Sequence, residues 1–176
     1  MRGDWELVRA FYWVRLAIKV TEGNRMTPFF NPPHLLGPMA TFTFVNMHRR
    51  EYVEVMVWNV EYIDEFAHWF NSLTDEQNDD VDAMVTLLEQ RGPQLPFPFS
   101  SGVNGSRHSH MRELRVQSGG DPIRIFYAFN PLRTAILLIG GDKTGDDRFY
   151  ETMIPVADKL YDEHLEELKD EGYLNV

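Results

Sequence analysis

Cysteine is absent from this chain of 176 residues. Without thiols, a disulfide scaffold, a thiolate zinc finger, an iron–sulfur site and a cysteine nucleophile are all excluded. The absence also fits a reducing compartment, so we expect a cytoplasmic protein. A long uninterrupted apolar run is missing too, because four charged residues interrupt the stretch 5–20 (WELVRAFYWVRLAIKV). That interruption argues against a bilayer-spanning helix and a secretory signal, so no membrane association is expected for the body.

Positive charge is scarce overall, since 17 basic residues face 27 acidic ones and the net charge is −10. The imbalance is uneven along the chain. Residues 61–91 carry nine acidic residues against one basic, whereas residues 105–148 carry seven basic residues against five acidic. The middle segment is therefore where we expect any phosphate-binding function. With 43% hydrophobic residues the chain can still bury a real core.

The first part of the chain is predicted to be an extension, separate from the globular body. Prolines 28, 32, 33 and 38 predict an extended linker or irregular loop, and we place a boundary near residue 46. Residues 1–46 then form an N-terminal extension of uncertain order, and residues 47–176 form the body. The extension could be a partner or membrane-surface segment or a packed appendage, and the working protein could begin at Met39 or Met47.

The body shows alternating strand and helix signals that predict an α+β fold. The run Val53–Val60 predicts a first strand, and apolar residues between 63 and 73 predict a helix. Thr74-Asp75-Glu76-Gln77 has the form of a capping box and begins a second helix, which Gly92-Pro93 ends. Three short β-type runs then predict an antiparallel meander. A last helix is expected from about Ile154 to Leu168, with Pro155 tolerable only in its first turn.

Two arginines are predicted to face each other across this meander. If the turn SGGD is symmetric about Gly119 and Gly120, Arg115 lies opposite Arg124 and both point to one face. Like charges at facing positions destabilise a strand pair, so they require a bound anion or a carboxylate such as Glu113 between them. Alternate residues of the second strand point to the other face and can bury the helical hairpin. That leaves the arginine face free for function.

Further polar residues follow the third meander strand and precede the first. GGDKTGDDRFY supplies Lys143, Arg148 and Tyr150, but it does not match the phosphate-loop pattern and follows an antiparallel strand, so we reject a nucleotide triphosphatase. His108 and His110 lack a persuasive third metal ligand. They remain loop histidines, RNA contacts or proton-transfer groups, and we expect neither a metal nor a cofactor.

At these motifs the sequence resembles a known family. The linked segments SRHSHMRELR, IRIFYAFNPLRTAILLIGGDK and FYETMIPVADKLYDEHL resemble the RelE/HigB toxins of bacterial type II toxin–antitoxin systems, over roughly residues 53–168. The resemblance is greatest to the HigB-like branch. It implies a RelE-like α+β fold with a curved antiparallel sheet, made of one N-terminal strand and the meander, with a helical hairpin on one face and a C-terminal helix. It also implies a ribosome-dependent endoribonuclease that cuts mRNA, with the ribosome, mRNA and a helix-turn-helix antitoxin as partners.

The resemblance also assigns residues. Carried over position by position, the implied catalytic set is Arg115, Arg124, Lys143 and Tyr150. The basic residues nearby add a candidate RNA-binding set of His108, His110, Arg112 and Arg148. Metal-free cleavage would use the neighbouring 2′-hydroxyl as nucleophile, with the arginines stabilising charge on phosphorus. Tyr150, ionised with the help of cationic neighbours, or a nearby histidine is the candidate base. Lys143 or Arg148 could be the acid.

Two other functions remain open on the same scaffold. One is a non-catalytic toxin that inhibits DNA gyrase by protein contact, as the related ParE toxins do. The other is an inactive homologue that is bound by an antitoxin. The joint presence of the four implied catalytic residues favours the ribonuclease.

Overall fold

A computed structural model of the chain describes residues 26–29, 39–46 and 51–174, with side chains from Val57 onwards. It divides the chain into two compact units, Met1–Met56 and Val57–Val176. Most of the predicted N-terminal extension, including the run 5–20, lies outside the described residues. The predicted boundary near residue 46 stays a prediction.

The described part of the first unit is β-structure. Strands β1 (Met26–Phe29), β2 (Met39–Asn46) and β3 (Glu51–Trp58) form a sheet in that order, and β1 pairs antiparallel with β2. Pro28 therefore lies in a strand and not in the predicted linker. It occupies the edge strand, where a residue without an N–H group is tolerated.

The second unit is built on a five-stranded sheet. Its strands are β4 (Val60–Tyr62), β5 (Ser100–Gly102), β6 (Arg112–Ser118), β7 (Asp121–Phe129) and β8 (Ala135–Asp142), in the order β4-β8-β7-β6-β5. The antiparallel meander of β6, β7 and β8 is confirmed. Strand β4 pairs in parallel with β8, so the sheet is mixed rather than wholly antiparallel. The short edge strand β5 was not predicted.

The run predicted as one strand over Val53–Val60 is in fact two. Strand β3 ends at Trp58, strand β4 begins at Val60, and they belong to different sheets. Because both halves consist of strand-forming residues, the pattern carried no sign of the break at Asn59.

Three helices complete the second unit: α1 (Asp64–Phe70), α2 (Asp75–Arg91) and α3 (Phe149–Asp170). The capping box is confirmed, since the Gln77 N–H donates to the Thr74 hydroxyl and the Thr74 N–H donates to the Gln77 side chain. Gly92, at a φ of 55°, ends α2 as predicted. Helix α3 starts at Phe149 rather than near Ile154, so Pro155 lies inside it and not in its first turn.

The helices cover both faces of the sheet. Helices α1 and α2 pack against one face through residues such as Phe66, Val81 and Leu88, which meet the inward side chains of β6, β7 and β8. Helix α3 packs on the opposite face, where Ile154 and its neighbours form a second core. The expectation that this second face is free is wrong where α3 covers it. In the described residues, no helix combines the length and the apolar character needed to cross a bilayer.

One buried carboxyl in α2 gives a pH prediction. Glu89 is only 4% exposed, and its Oε2 has no hydrogen-bond partner among the described residues. Burial, with a smaller contribution from the charge of Asp82, raises the pKa of Glu89 to about 8. A carboxyl whose pKa is raised by folding contributes full stability below the unfolded pKa, and this contribution is lost as the pH rises through the folded value.

Glu89→Gln should therefore stabilise the protein at high pH. Because the amide never ionises, we expect a gain of about 1 to 3 kcal/mol in the free energy of unfolding at pH 9 relative to pH 5. Urea denaturation at several pH values measures this difference. The exposed Glu166→Gln in α3 is the control and should change the pH dependence little. An equal response of both variants would show that Glu89 does not ionise in a buried setting.

Candidate active site

The two predicted arginines do face each other. Arg115 of β6 is paired with Arg124 of β7, as the symmetric turn predicts. Glu113 lies two residues before Arg115 on the same face and is 3% exposed. Its Oε1 is 3.9 Å from Arg115 Nη1 and 3.9 Å from Arg124 Nε. These are ion pairs beyond hydrogen-bond range, so the carboxylate neutralises part of the charge without using up the arginine donors.

Arg124 is the more buried member of the pair. The residue is 5% exposed, and Nη1 donates to the Ile123 carbonyl at 2.8 Å. Its Nε is buried and has no acceptor among the described residues. A buried, charged donor without an acceptor is costly, so its presence in a folded protein needs an explanation. An anion that accepts from Arg124 would remove this cost.

Tyr150 reaches the cluster from the first turn of α3. Its hydroxyl donates to Glu113 Oε2 at 2.8 Å, and Ser101 of β5 donates to Glu113 Oε1 at 3.0 Å. Gly141, which is paired with Arg124, lets α3 approach the sheet. A Cβ at Gly141 would lie 2.9 Å from the Phe149 ring, so a larger residue would push Tyr150 away.

The protonation state of Tyr150 differs from the prediction. Burial raises the pKa of its phenol above the ordinary value of about 10, and so do the hydrogen bond to Glu113 and the charge of Glu113. The nearby Arg124 lowers it only in part. The expectation that cationic neighbours ionise Tyr150 is wrong, because the carboxylate to which the hydroxyl donates favours the neutral phenol. Tyr150 is thus a hydrogen-bond donor in this site.

Lys143 lies at the open side of the same cluster. It follows β8, its N–H donates to the Pro122 carbonyl at 3.1 Å, and its Nζ lies 4.8 Å from the centre of the Tyr150 ring. This distance is within the range of a cation–π contact. All four implied catalytic residues therefore come together around Glu113. Arg148 precedes α3 and is exposed, with its N–H donating to Asp146 Oδ1 at 2.9 Å.

His108 and His110 belong to a different cluster, against the middle of α3. His108 Nε2 is 2.8 Å from Asp162 Oδ1, and His110 Nε2 is 3.0 Å from the Tyr161 hydroxyl. Tyr161 is eleven residues beyond Tyr150, which is about 16 Å along a helix. Burial, followed by the charge of His108, lowers the pKa of His110. These histidines hold the loop before β6 onto α3 and are not brought to the arginine pair.

Arg112 points to the opposite face of the sheet from Arg115. Its Nε donates to the Ser100 and Tyr127 hydroxyls at 3.2 and 3.1 Å, and its Nη2 donates to the Leu95 carbonyl at 3.2 Å. Odd and even positions of a strand face opposite sides, so Arg112 cannot reach the pair without leaving its strand. Its contacts fix the loop before β5. The predicted RNA-binding role of Arg112 is not supported by this position.

Sequence analysis missed one member of the site and undervalued another. Ser101 gave no signal, because β5 has only three residues and no alternating pattern. Glu113 was recognised as the ion-pair partner, and its spacing from Arg115 was the available sign. Its hydrogen bond with Tyr150 joins segments 37 residues apart, which no local pattern indicates.

Known proteins resemble this chain over the same region. The family described as "Phage derived protein Gp49-like (DUF891)" matches residues 68–162, which is more than half of the chain. The chain belongs to the Gp49-like family. Its predicted resemblance to RelE/HigB toxins is also confirmed. The Gp49-like match includes Glu113, Arg115, Arg124, Lys143 and Tyr150.

Two relatives of this Gp49-like chain come from Mycobacterium tuberculosis (strain ATCC 25618 / H37Rv). "Putative toxin HigB2" is 38% identical over 115 residues, which are 64% of this chain and 57% of that protein. "Putative toxin HigB3" is 45% identical over 92 residues, which are 52% of this chain and 79% of that protein. The chain thus spans little more than half the length of HigB2. Among solved structures, the archaeal RelE–RelB complex from Pyrococcus horikoshii OT3 has a TM-score of 0.39 at 15% identity, covering 49% of this chain and 96% of that one.

Proposed function

We propose that this Gp49-like chain is the toxin of a type II toxin–antitoxin system. In the cytoplasm it cuts mRNA on the ribosome without a metal ion, and a helix-turn-helix antitoxin neutralises it. The observation that carries the proposal is the buried Arg124. Its Nε has no acceptor among the described residues, and it lies beside the hydrogen-bonded Tyr150 and Glu113. The names of the two mycobacterial relatives support the toxin role.

In the proposed reaction, Arg115 and Arg124 hold the scissile phosphate. The 2′-oxygen of the preceding nucleotide attacks phosphorus, and the bond from phosphorus to the 5′-oxygen breaks. Fixed cations aimed at the charge that develops on phosphorus are the largest expected contribution. The products are a 2′,3′-cyclic phosphate and a 5′-hydroxyl.

The proton steps follow from the neutral state of Tyr150. As the 2′-hydroxyl gives its proton to the Tyr150 oxygen, Tyr150 passes its own proton to Glu113 Oε2, which already accepts from it at 2.8 Å. Glu113 is then the net base, and Tyr150 never needs to ionise. Lys143, beside the Tyr150 ring, donates a proton to the departing 5′-oxygen.

A cell-free translation reaction with a defined mRNA tests the proposal. Added protein should stop protein synthesis, and mapping of the mRNA ends should find new cuts only when ribosomes are present. A DNA supercoiling reaction with purified gyrase tests the ParE-like alternative. Inhibited supercoiling together with intact mRNA would replace the ribonuclease by a gyrase inhibitor.

The N-terminal extension should be dispensable for this activity. A chain that starts at Met47 keeps the whole five-stranded sheet, its helices and the Glu113 cluster. We expect it to arrest growth on induction as the full chain does, with a matching circular dichroism spectrum. Low solubility alone does not count against this, but a soluble and folded protein without toxicity would.

A further inference from the structure

The loop before β5 presents an aromatic ring to solvent. Phe97 is 69% exposed, more than any other large hydrophobic side chain among the described residues. Burying such a ring is favourable, so a largely exposed phenylalanine beside a candidate site needs an explanation. Isolated surface apolar residues are common and carry no meaning alone. The contacts around Phe97 are what indicate a function for this ring.

Hydrogen bonds order the backbone of the turn that carries Phe97. The N–H groups of Phe99 and Ser100 donate to the Pro96 carbonyl at 3.0 and 3.1 Å, and the Arg115 N–H donates to the Phe99 carbonyl at 2.8 Å. These bonds close the loop on itself and attach it to the strand that carries Arg115. Phe97 is thus presented on an ordered turn whose distance from the arginine pair is set by β6.

The ring also contacts the proposed phosphate site directly. The Arg115 guanidinium carbon lies 5.2 Å from the centre of the Phe97 ring, within the range of a cation–π contact. The same guanidinium faces Arg124 and is one third exposed. Arg115 therefore joins an exposed aromatic surface to Arg124, whose Nε has no acceptor among the residues that the structure describes.

We propose that Phe97 is a base-stacking subsite, on which a nucleobase of the bound RNA lies while an adjoining phosphate meets Arg115 and Arg124. The proposal rests on the proposed ribonuclease function and adds the group that positions the strand. Aromatic side chains next to cationic grooves are the usual means of binding single-stranded nucleic acid, because each base offers a flat face and each linkage a negative charge. A purely apolar protein partner would leave the two cations unsatisfied, so the charges favour RNA.

Direct binding tests the subsite without requiring cleavage. The probe is a fluorescein-labelled RNA trinucleotide with 2′-O-methyl groups, together with versions in which one base is removed, and anisotropy at low salt gives the dissociation constants. Phe97→Ala should weaken binding roughly 5- to 100-fold, as loss of one stacked base does. Phe97→Leu should be nearly as weak and Phe97→Trp at least as strong as the unmodified protein. The control is Tyr173→Ala, which removes a 60% exposed ring beyond the end of α3 and should change nothing.

The decisive comparison combines protein and RNA changes. If a base stacks on Phe97, removing that base should weaken binding to the unmodified protein. The same removal should leave the dissociation constant of Phe97→Ala unchanged. Equal binding of Phe97→Ala and the unmodified protein, binding by Phe97→Leu at full strength, or no trinucleotide binding at all would each overturn the proposal. If Phe97→Ala binds RNA normally but is no longer neutralised by the antitoxin, the ring is a protein contact instead. If base removal and Phe97→Ala are non-additive but no mRNA is cut, the subsite stands and the ribonuclease function is refuted. If mRNA is cut but the two changes are additive, the ribonuclease function stands and the subsite is refuted.

Discussion

Arg124→Ala should reduce mRNA cleavage by roughly 10²- to 10³-fold and abolish growth arrest. The residue supplies a fixed positive charge and a donor, Nε, that meets no acceptor among the described residues. Such a donor stabilises the transition state because it is aimed before the charge develops and is shielded from water. Arg124→Lys should recover only part of the rate, since an ammonium group is a point charge without the planar fork of a guanidinium.

Folding must be checked for this variant. Arg124 is 5% exposed, so its truncation also removes packing. Arg124→Gln keeps most of the volume without the charge and should be as inactive as Arg124→Ala. Arg91→Gln, at the exposed end of α2 on the other face, is the matched control and should keep full activity. A folded Arg124→Gln protein with normal toxicity would refute this face as the active site.

Tyr150→Phe should lower the cleavage rate by about 10²- to 10⁴-fold with little change in binding of the substrate. The variant keeps the ring beside Lys143 and removes only the hydroxyl that donates to Glu113. In the proposed mechanism Glu113 and Tyr150 carry the proton together, so Glu113→Gln should have a similar effect. The double variant should be hardly worse than either single one, since residues that act as a unit are not additive.

The pH dependence of the single variants separates this relay from an ionised tyrosine. The pKa of Tyr150 is raised above its ordinary value, so the phenol stays protonated below about pH 10 and the rate should not increase as the pH approaches that value. Single-turnover rates on programmed ribosomes between pH 6 and about pH 9 measure this. A rate that rises steadily with pH in the unmodified protein and not in Tyr150→Phe would favour the phenolate as base.

The sequence predicted those features of the fold that depend on residues close together in the chain. The turn at Gly119 and Gly120 fixed the pairing of Arg115 with Arg124, since a symmetric hairpin sets the register of its strands. The capping box located the start of α2 for a similar reason: its hydrogen bonds join residues three apart. The placement of Glu113 beside both arginines followed from the two-residue period of a strand.

Contacts between segments far apart in the chain could not be predicted from these local patterns. Nothing near Asn59 indicates that β3 and β4 join different sheets, and nothing near Ser101 indicates that it hydrogen-bonds Glu113. The first turn of α3 lies on the arginine face because Gly141 leaves room for Phe149, which depends on tertiary packing. That packing determines the protonation of Tyr150, so the chemistry of the site could not be derived from residue types alone.

If the chain cuts RNA by attack of the neighbouring 2′-hydroxyl, using its own side chains, the 2′-oxygen at the cut site is indispensable. A single 2′-deoxy substitution on the 5′ side of the mapped cut, in an mRNA bound to programmed ribosomes, tests it most directly. This substitution should abolish cutting at that position, and the unmodified mRNA should yield a 2′,3′-cyclic phosphate and a 5′-hydroxyl. Undiminished cutting of the deoxy substrate, or fragments that carry a 5′-phosphate, would contradict it.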